Sequence, residues 1–369
     1  MSEYIMGEKF SYSSELIIYG QHDYVVRVRT YLEKLRPDLR LIVVEVCSAI
    51  DEIDASKFNL AALDVKLNKN SSETCVLVCF SAKWKDKAQV HLHKLGFKNL
   101  CIYDAKLDNQ LKVDFFKFIY NEQGKSLFML ADMPVKHEIK PCSMKVYMAR
   151  CEVDKPLSKE PVLSDYVLPI QVGAALTEKR IANLTDDTGD NISDRNRRYS
   201  EMTAFYWMWK NDKTADYLGI CHYRRLWVDL DKIAEMLQRT DIDAVLPLPT
   251  LCEHSVHEDY LLKHIPTVWQ PMMEVMKKHS LEYYEAAKKI FEGRIFYASN
   301  MCILRREVLN DLCEWMFPIV MDVENIVGDI EDTYYNRYAG FCTERLITLY
   351  FLYNKKNWKI AHAEKVFIG

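Results

Sequence analysis

A chain of 369 residues with 49 Lys+Arg against 53 Asp+Glu carries a formal net charge of −4, and its length predicts about two domains. With 49% hydrophobic and 28% charged residues it is neither disordered nor, at so even a charge balance, a dedicated nucleic-acid binder. A core of this size needs neither disulfides nor metal to be stable, and no run approaches the roughly 18 apolar residues of a membrane span.

The opening residues Met1–Phe10 have no basic stretch followed by an apolar one, so no signal peptide is expected. Glu15–Gly20 is a short apolar run ending in glycine, and Val25, Val28, Tyr31, Leu32 and Leu35 then recur at helical spacing over His22–Leu35. Further strands are expected at Leu41–Val46, Cys75–Phe80 and Asn99–Tyr103, with a helix over Trp84–Leu95. Strand–helix alternation predicts an α/β domain with a parallel sheet, a degenerate Rossmann-like domain over residues 1–135. The first turn, Gly20-Gln-His-Asp, has one glycine where a dinucleotide turn needs several, so no dinucleotide is expected there. The eleven cysteines form no Cys-x-x-Cys pair, and Cys75 and Cys79 lie inside an apolar run. They read as reduced thiols of a cytoplasmic protein.

Asp132–Pro141 is polar, carries two prolines and has no periodicity, so it reads as a connector. The second domain, residues 143–369, opens on the strand Met144–Met148. Asp186–Ser193 is a loop of turn formers, with Asn191 or Ser193 placed to cap a helix running from about Asp194 to Lys210. Tyr199, Met202, Tyr206 and Trp209 form its apolar stripe, while Asn196, Ser200 and Thr203 make a polar face. A helix start beside a glycine turn is also a natural anion site.

The strand Asp216–Cys221 runs straight into His222-Tyr223-Arg224-Arg225. Ligands of open α/β sheets bind beyond the carboxyl ends of strands, where paired arginines suit a diphosphate and a tyrosine offers a stacking face. Cys252–Tyr260 contains His254 and His257, but no third zinc ligand stands nearby, and a solvated loop is the simpler reading. Ala298-Ser-Asn300 is a small-residue turn feeding an apolar strand, where Asn300 could bond a sugar or cap the turn. Glu344 is read at the start of a Leu-, Ile- and Tyr-rich helix, where a helix dipole favours an acid and a cleft would use a general base.

Taken in order, Pro169–Ala174, Asp190-Asn-Ile-Ser193, Tyr206-Trp-x-Trp-Lys-Asn211, Gly219-Ile-Cys-His-Tyr-Arg-Arg225, Asn300-Met301 and Gly340-Phe-x-x-Glu-Arg-Leu346 form a recognisable set. Over roughly residues 143–367 the chain resembles a bacterial capsular and exopolysaccharide glycosyltransferase family long known as a domain of unknown function. Leu226 and Cys302 stand where that family usually has Tyr and Phe. The resemblance implies a GT-A-like domain that transfers a sugar from a nucleotide-sugar donor to a glycan or lipid-linked glycan. That places the protein in the cytoplasm or peripherally at the inner face of the plasma membrane. It assigns donor binding to Asp190, Asn191, Ser193, Asn196, His222, Tyr223, Arg224 and Arg225. Asn300, Met301 and Arg345 fall to the acceptor or sugar, and Glu344 to catalysis.

An inverting transferase needs a carboxylate to deprotonate the acceptor and positive charge for the departing diphosphate. The Asp-x-Asp pair that many GT-A enzymes use to hold Mn or Mg is not at the end of the Asp216–Cys221 strand; Asp241-Ile-Asp243 matches but precedes its strand. Either the arginines replace a divalent cation, or His222 and a distant acid bind one. A non-catalytic nucleotide-sugar scaffold or sensor of polysaccharide assembly is the competing reading.

Overall fold

The structure is a computed structural model that describes residues 14–46, 74–157, 160–354 and 357–368. The chain divides into two compact units, Met1–Leu127 and Phe128–Gly369. In the first, β1 (Glu15–Gln21), β2 (Arg40–Val46), β3 (Cys75–Cys79) and β4 (Asn99–Ile102) form a parallel sheet in the order β2-β1-β3-β4. The central strands β1 and β3 are buried almost throughout, as parallel strands covered on both faces must be. Ile17, Tyr19, Val76 and Val78 pack with Trp84, Ala88 and Leu92 of the helix Ala82–Lys94. The helices His22–Leu35 and Ala105–Glu122 meet through Tyr31 and Phe115, whose ring centres are 4.9 Å apart. The second of these, capped by Asp104, is an element that the spacing above does not single out.

Gly20 has a structural reason to be glycine. A Cβ there would collide with the Cys79 carbonyl of the neighbouring strand. The next residue, Gln21, accepts the Ser81 N–H at 2.8 Å, so the end of β1 is tied to the start of the second helix.

The second unit begins before its first strand. The segment read as a connector is fastened to it: the Lys136 and Lys140 N–H groups donate to the carbonyls of Arg239 and Gln238, each at 2.8 Å. The His362 N–H likewise donates to Phe128 O at 2.8 Å. Its main sheet is built from β5 (Met144–Cys151), β6 (Val167–Val172), β7 (Leu184–Thr185), β8 (Tyr217–His222), β9 (Arg225–Trp227) and β10 (Ala244–Pro247). A separate short pair, β11 (Thr250–Leu251) and β12 (Ile295–Phe296), follows, and then β13 (Cys302–Arg305), β14 (Ile360–Ala363) and β15 (Lys365–Phe367) complete the main sheet. The order is β14-β10-β13-β8-β5-β6-β7, with β9 joining β8 to β15. Strands β5, β6, β7 and β8 are parallel, and β13 runs against both β8 and β10. From β5 the chain winds outward to β6 and β7, then returns to lay β8 on β5's other side. The carboxyl ends of β5 and β8 therefore flank a topological switch point, the usual place for a ligand in an open α/β sheet.

The expected helix over Asp194–Lys210 is broken in two. A single-turn helix, Asn196–Tyr199, and the helix Met202–Asn211 are separated by Ser200, which has φ 51°. The cause lies in the polar face that the stripe left over. Asn196 Nδ2 donates to Ser200 O at 2.7 Å and to Thr203 Oγ1 at 3.1 Å, closing a kink that a straight helix would forbid. The apolar stripe survives, with Tyr199, Met202 and Tyr206 all buried.

Replacing Gly20 by alanine is expected to lower the unfolding midpoint, with a cost of about 1–3 kcal/mol from overpacking. Urea unfolding of the full chain measures it, and an unchanged midpoint would refute the close approach.

Candidate active site

The apolar register of β8 delivers His222 to the sheet's carboxyl edge, with Leu218 to Cys221 buried behind it. Gly219 permits this, because a Cβ there would press on Ile303 of β13 at 2.6 Å. His222 Nε2 donates to Ser299 O at 2.6 Å, a carbonyl being unable to donate. Burial lowers the pKa of the ring, which keeps it neutral in that role, although Glu201 pulls the other way. The N–H of the same Ser299 donates to Glu344 Oε1 at 2.6 Å, and Glu344 Oε2 accepts from Arg345 Nη1 at 3.0 Å. One residue, bonded through its C=O on one side and its N–H on the other, thus stands between the end of β8 and the carboxylate.

That residue belongs to a strained turn. Ser299 has φ 82° and Asn300 has φ 50°. Asn300 Nδ2 donates to Glu201 Oε1 at 2.8 Å and to Gly340 O at 3.1 Å, while its Oδ1 is buried with no hydrogen-bond partner. Lys365 Nζ reaches Ala298 O and Ser299 Oγ at 3.0 and 3.1 Å from β15. Glu344 itself lies in the second turn of the helix Tyr338–Tyr353, so the dipole argument for a helix-start acid does not hold. Burial raises its carboxyl above the ordinary glutamate value, against the opposing effects of Arg345 and the Ser299 N–H.

His222 pairs with Arg225 across a tight turn of Tyr223 and Arg224. The two arginines go to different rings: Arg224 lies 5.4 Å from the centre of Tyr223, and Arg225 lies 5.6 Å from that of Phe367. Arg224 lies in the turn and Arg225 opens β9, so the two guanidiniums rest on different rings and are not stacked together as one pair. Arg224 Nε is buried with no hydrogen-bond partner. Beside it stands Asp154, just beyond β5. Burial raises this carboxyl, opposed by the Cys151 N–H and by Arg150, Arg224 and Arg337.

The remaining residues singled out by sequence act from behind. Asp190 is exposed and braced by Tyr206, by Lys210 and, through its backbone, by Asn211. Asn191 bonds Gly189 O and the Ser193 N–H within its own turn. Ser193 caps no helix. Its hydroxyl donates to Asp186 and accepts the Ala175 N–H, and Asp186 also accepts the N–H groups of Gly173 and Ala174 at 2.9 and 3.1 Å. The loops after β6 and β7 are thereby locked together. Asn196 alone of this group sits at the edge, its Oδ1 4.0 Å from Cys151 Sγ. Met301 and Arg345 are core residues, 2% and 1% exposed. Arg345 is packed on Tyr260 and Phe296 and paired with Asp259 and Glu344, so it orients the carboxylate.

Glu201, Lys365, Arg337 and Asp154 are site residues that the sequence motifs pass over. Glu201 alone left a signal, as an acid interrupting an aromatic-dense segment. His254 precedes and His257 falls within a capping box of Ser255 and Glu258, with His257 stacked on Trp269 at 4.5 Å, so this segment starts a helix where a loop was expected. Asp241 and Asp243 pair with Lys136, Lys359 and Arg305 at the amino end of β10. Among the described residues no three His, Cys, Asp or Glu side chains converge as metal ligands. At the sheet edge His222 Nε2 is engaged by Ser299 O, and both Glu344 oxygens by the Ser299 N–H and Arg345, so these side chains do not fit a divalent ion.

The second unit is thus an α/β fold whose largely parallel sheet gathers cations and carboxylates at its carboxyl edge. Among solved structures the chain is similar to that of the WbbM bifunctional glycosyltransferase in its apo form, at 25% identity and a TM-score of 0.52. The match covers 62% of this chain and 45% of the other, so the chain spans less than half of that enzyme's length. The family model described as Domain of unknown function (DUF4422) matches residues 158–356, and the chain belongs to that family. No curated protein matches it. No helix among the described residues is long and apolar enough to cross a membrane.

Asp186→Ala would leave the Gly173 and Ala174 N–H groups unmet inside the protein, at about 1–3 kcal/mol each. Asp190→Ala removes only the exposed side-chain contacts with Tyr206 and Lys210 and should stay within about 1 kcal/mol. Urea midpoints of the two variants test this ordering.

Proposed function

We propose that the protein is a glycosyltransferase that moves a sugar from a nucleotide-sugar donor to a growing capsular, exopolysaccharide or O-antigen glycan, with inversion. The observation that carries this reading is Arg224, a guanidinium at the carboxyl end of the central strands whose buried Nε has no partner. A buried donor left unmet costs free energy, and an anionic ligand at that edge would meet it. The GT-A-like assignment of the second unit is supported by the switch point beside β5 and by the similarity to a glycosyltransferase. The first unit, a Rossmann-like sheet whose one turn glycine is used for strand packing, serves as a contact module.

In this mechanism Glu344 accepts the proton of the acceptor hydroxyl as its oxygen bonds the anomeric carbon. The bond from that carbon to the diphosphate oxygen breaks, and the nucleoside diphosphate leaves with the electron pair. Arg224 and Arg225 stabilise its charge. The Ser299 N–H and Arg345 hold the carboxylate's orientation, and burial offsets the pKa-lowering effect of Arg345 so that the group remains a usable base.

Nucleotide sugars screened by thermal shift should raise the melting temperature. Arg224→Ala or Arg225→Ala should then weaken the best donor by about 2–5 kcal/mol in calorimetry. Unchanged affinity in both variants would remove the diphosphate assignment.

Glu344→Gln keeps the shape and loses the base. Turnover should fall by roughly 10²–10⁴-fold while donor affinity holds. With the carboxyl raised, wild-type turnover climbs with pH along an acid limb lying above an ordinary glutamate's titration, and the variant lacks that limb. Near-normal turnover would return the residue to a structural role.

A further inference from the structure

The helix that carries Glu344 also carries Phe341, three residues earlier and so beside it on the helix surface. Phe341 is the centre of a run of flat groups. His264 stacks on it at 3.9 Å and 21°, and Tyr334 leans against it at 5.4 Å and 46°. Tyr335 follows Tyr334 at 5.4 Å, and the Arg337 guanidinium lies 5.8 Å from the Phe341 ring centre.

Tyr334 is 51% exposed and Tyr335 38%, yet the turn that bears them is fixed. Asp332 Oδ1 accepts the N–H of Tyr334 at 2.8 Å and of Tyr335 at 2.9 Å, and Asn336 Oδ1 accepts the Ile330 N–H at 2.9 Å. Large rings held out on a fixed turn are a pre-organised contact surface, and an ordered surface binds with little further entropy cost. His264 presents an uncharged face. Burial, then Arg345, Lys263 and Arg337, bring its pKa down to about 3. Its Nδ1 has no hydrogen-bond partner. Arg337 Nε donates to Ser200 Oγ at 2.8 Å, which links this shelf to the kink beside Asn196 and Glu201.

We propose that the shelf of Tyr334, Tyr335, Phe341 and His264, with Arg337 at its rim, binds a sugar ring of the glycan acceptor; the proposal rests on the transferase reading and extends it to the acceptor side. A pyranose offers one face of C–H groups and an edge of hydroxyls. The stacked rings match the first, while the phenol hydroxyls, the imidazole and the guanidinium match the second. Phe341 and Glu344 share one surface of one helix, so a ring seated on the shelf carries its hydroxyls toward the carboxylate.

Saturation-transfer NMR on the full chain tests this with short oligosaccharides of galactose, glucose and mannose as probes, and UDP, GDP and dTDP on the same samples. In the wild type, saturation should reach the C–H protons of one sugar face. Tyr334→Ala and Phe341→Leu should weaken the bound oligosaccharide by about 3- to 10-fold, and Tyr334→Phe, which keeps the ring and loses the hydroxyl, should weaken it less than Tyr334→Ala. Nucleotide binding should hold across all three. Nucleotide binding with no oligosaccharide bound, or an oligosaccharide held equally by Tyr334→Ala, overturns the shelf and leaves the transferase reading standing. Displacement of the sugar by nucleotide alone, or self-association of the chain abolished by Tyr334→Ala, also overturns it. A wild type that binds neither kind of probe removes both readings.

Discussion

Ser299 and Asn300 both occupy the left-handed region of backbone space without being glycine, a state that costs of order 1–3 kcal/mol per residue and persists only where neighbours impose it. Four elements impose it here. His222 holds the Ser299 carbonyl from the end of β8, and Glu344 holds the Ser299 N–H from the helix Tyr338–Tyr353. Glu201 and Gly340 fix the Asn300 amide, and Lys365 reaches across from β15. Release of the turn would leave Glu344 without the backbone donor that aims it and His222 without the acceptor that sets its tautomer. The site is therefore a property of how these elements meet, and its strain is offset by the bonds that also position the chemistry.

The same device recurs at lower cost around it. The second unit repeatedly folds a carboxylate inside and lets surrounding donors converge on it. Asp186 gathers the loops after β6 and β7. Glu324 draws in Arg195, Arg198 and Tyr199, which anchors the short helix just ahead of the Ser200 kink. Asp212 takes the Tyr147 hydroxyl, Lys145 and Thr214; burial alone would raise its pKa, but these donors hold it far below the ordinary range. Its contribution to stability is present above the ordinary aspartate range and is lost only as pH falls through its lowered value. Buried ionic groups of this kind specify which loop goes where more than they add net stability.

Much of the architecture is local in origin, and so was legible along the chain. Strands β1, β3, β5 and β8 are short apolar runs because a parallel sheet covered on both faces admits little else. Helices such as His22–Leu35 carry their apolar residues at a spacing only a helix satisfies. An apolar run that stops at His222 puts that residue at a strand end, and Asp241 and Asp243 fall at the opposite end because they precede one. The residue sets Asp190–Ser193 and Tyr206–Asn211 meet in space: Asn211 and Tyr206 clasp Asp190, so the two are halves of one latch.

The tertiary structure alone decided which of these residues face the site. Periodicity cannot see that Asn196 will turn its amide onto Ser200 and break a helix, because that bond needs a left-handed residue which only packing enforces. It cannot see that Arg224 and Arg225, adjacent in sequence, separate onto Tyr223 and Phe367, since the choice follows from the pairing of β9 with a strand some 140 residues away. Nor can it place Glu201 or Lys365, whose importance lies in reaching a turn remote from them along the chain. The sequence by itself determined the elements and the chemical types gathered near a sheet edge, because both depend on neighbours a few residues apart. Which side chains converge there was left to long-range hydrogen bonds and a strained turn, for which spacing along the chain carries no signal.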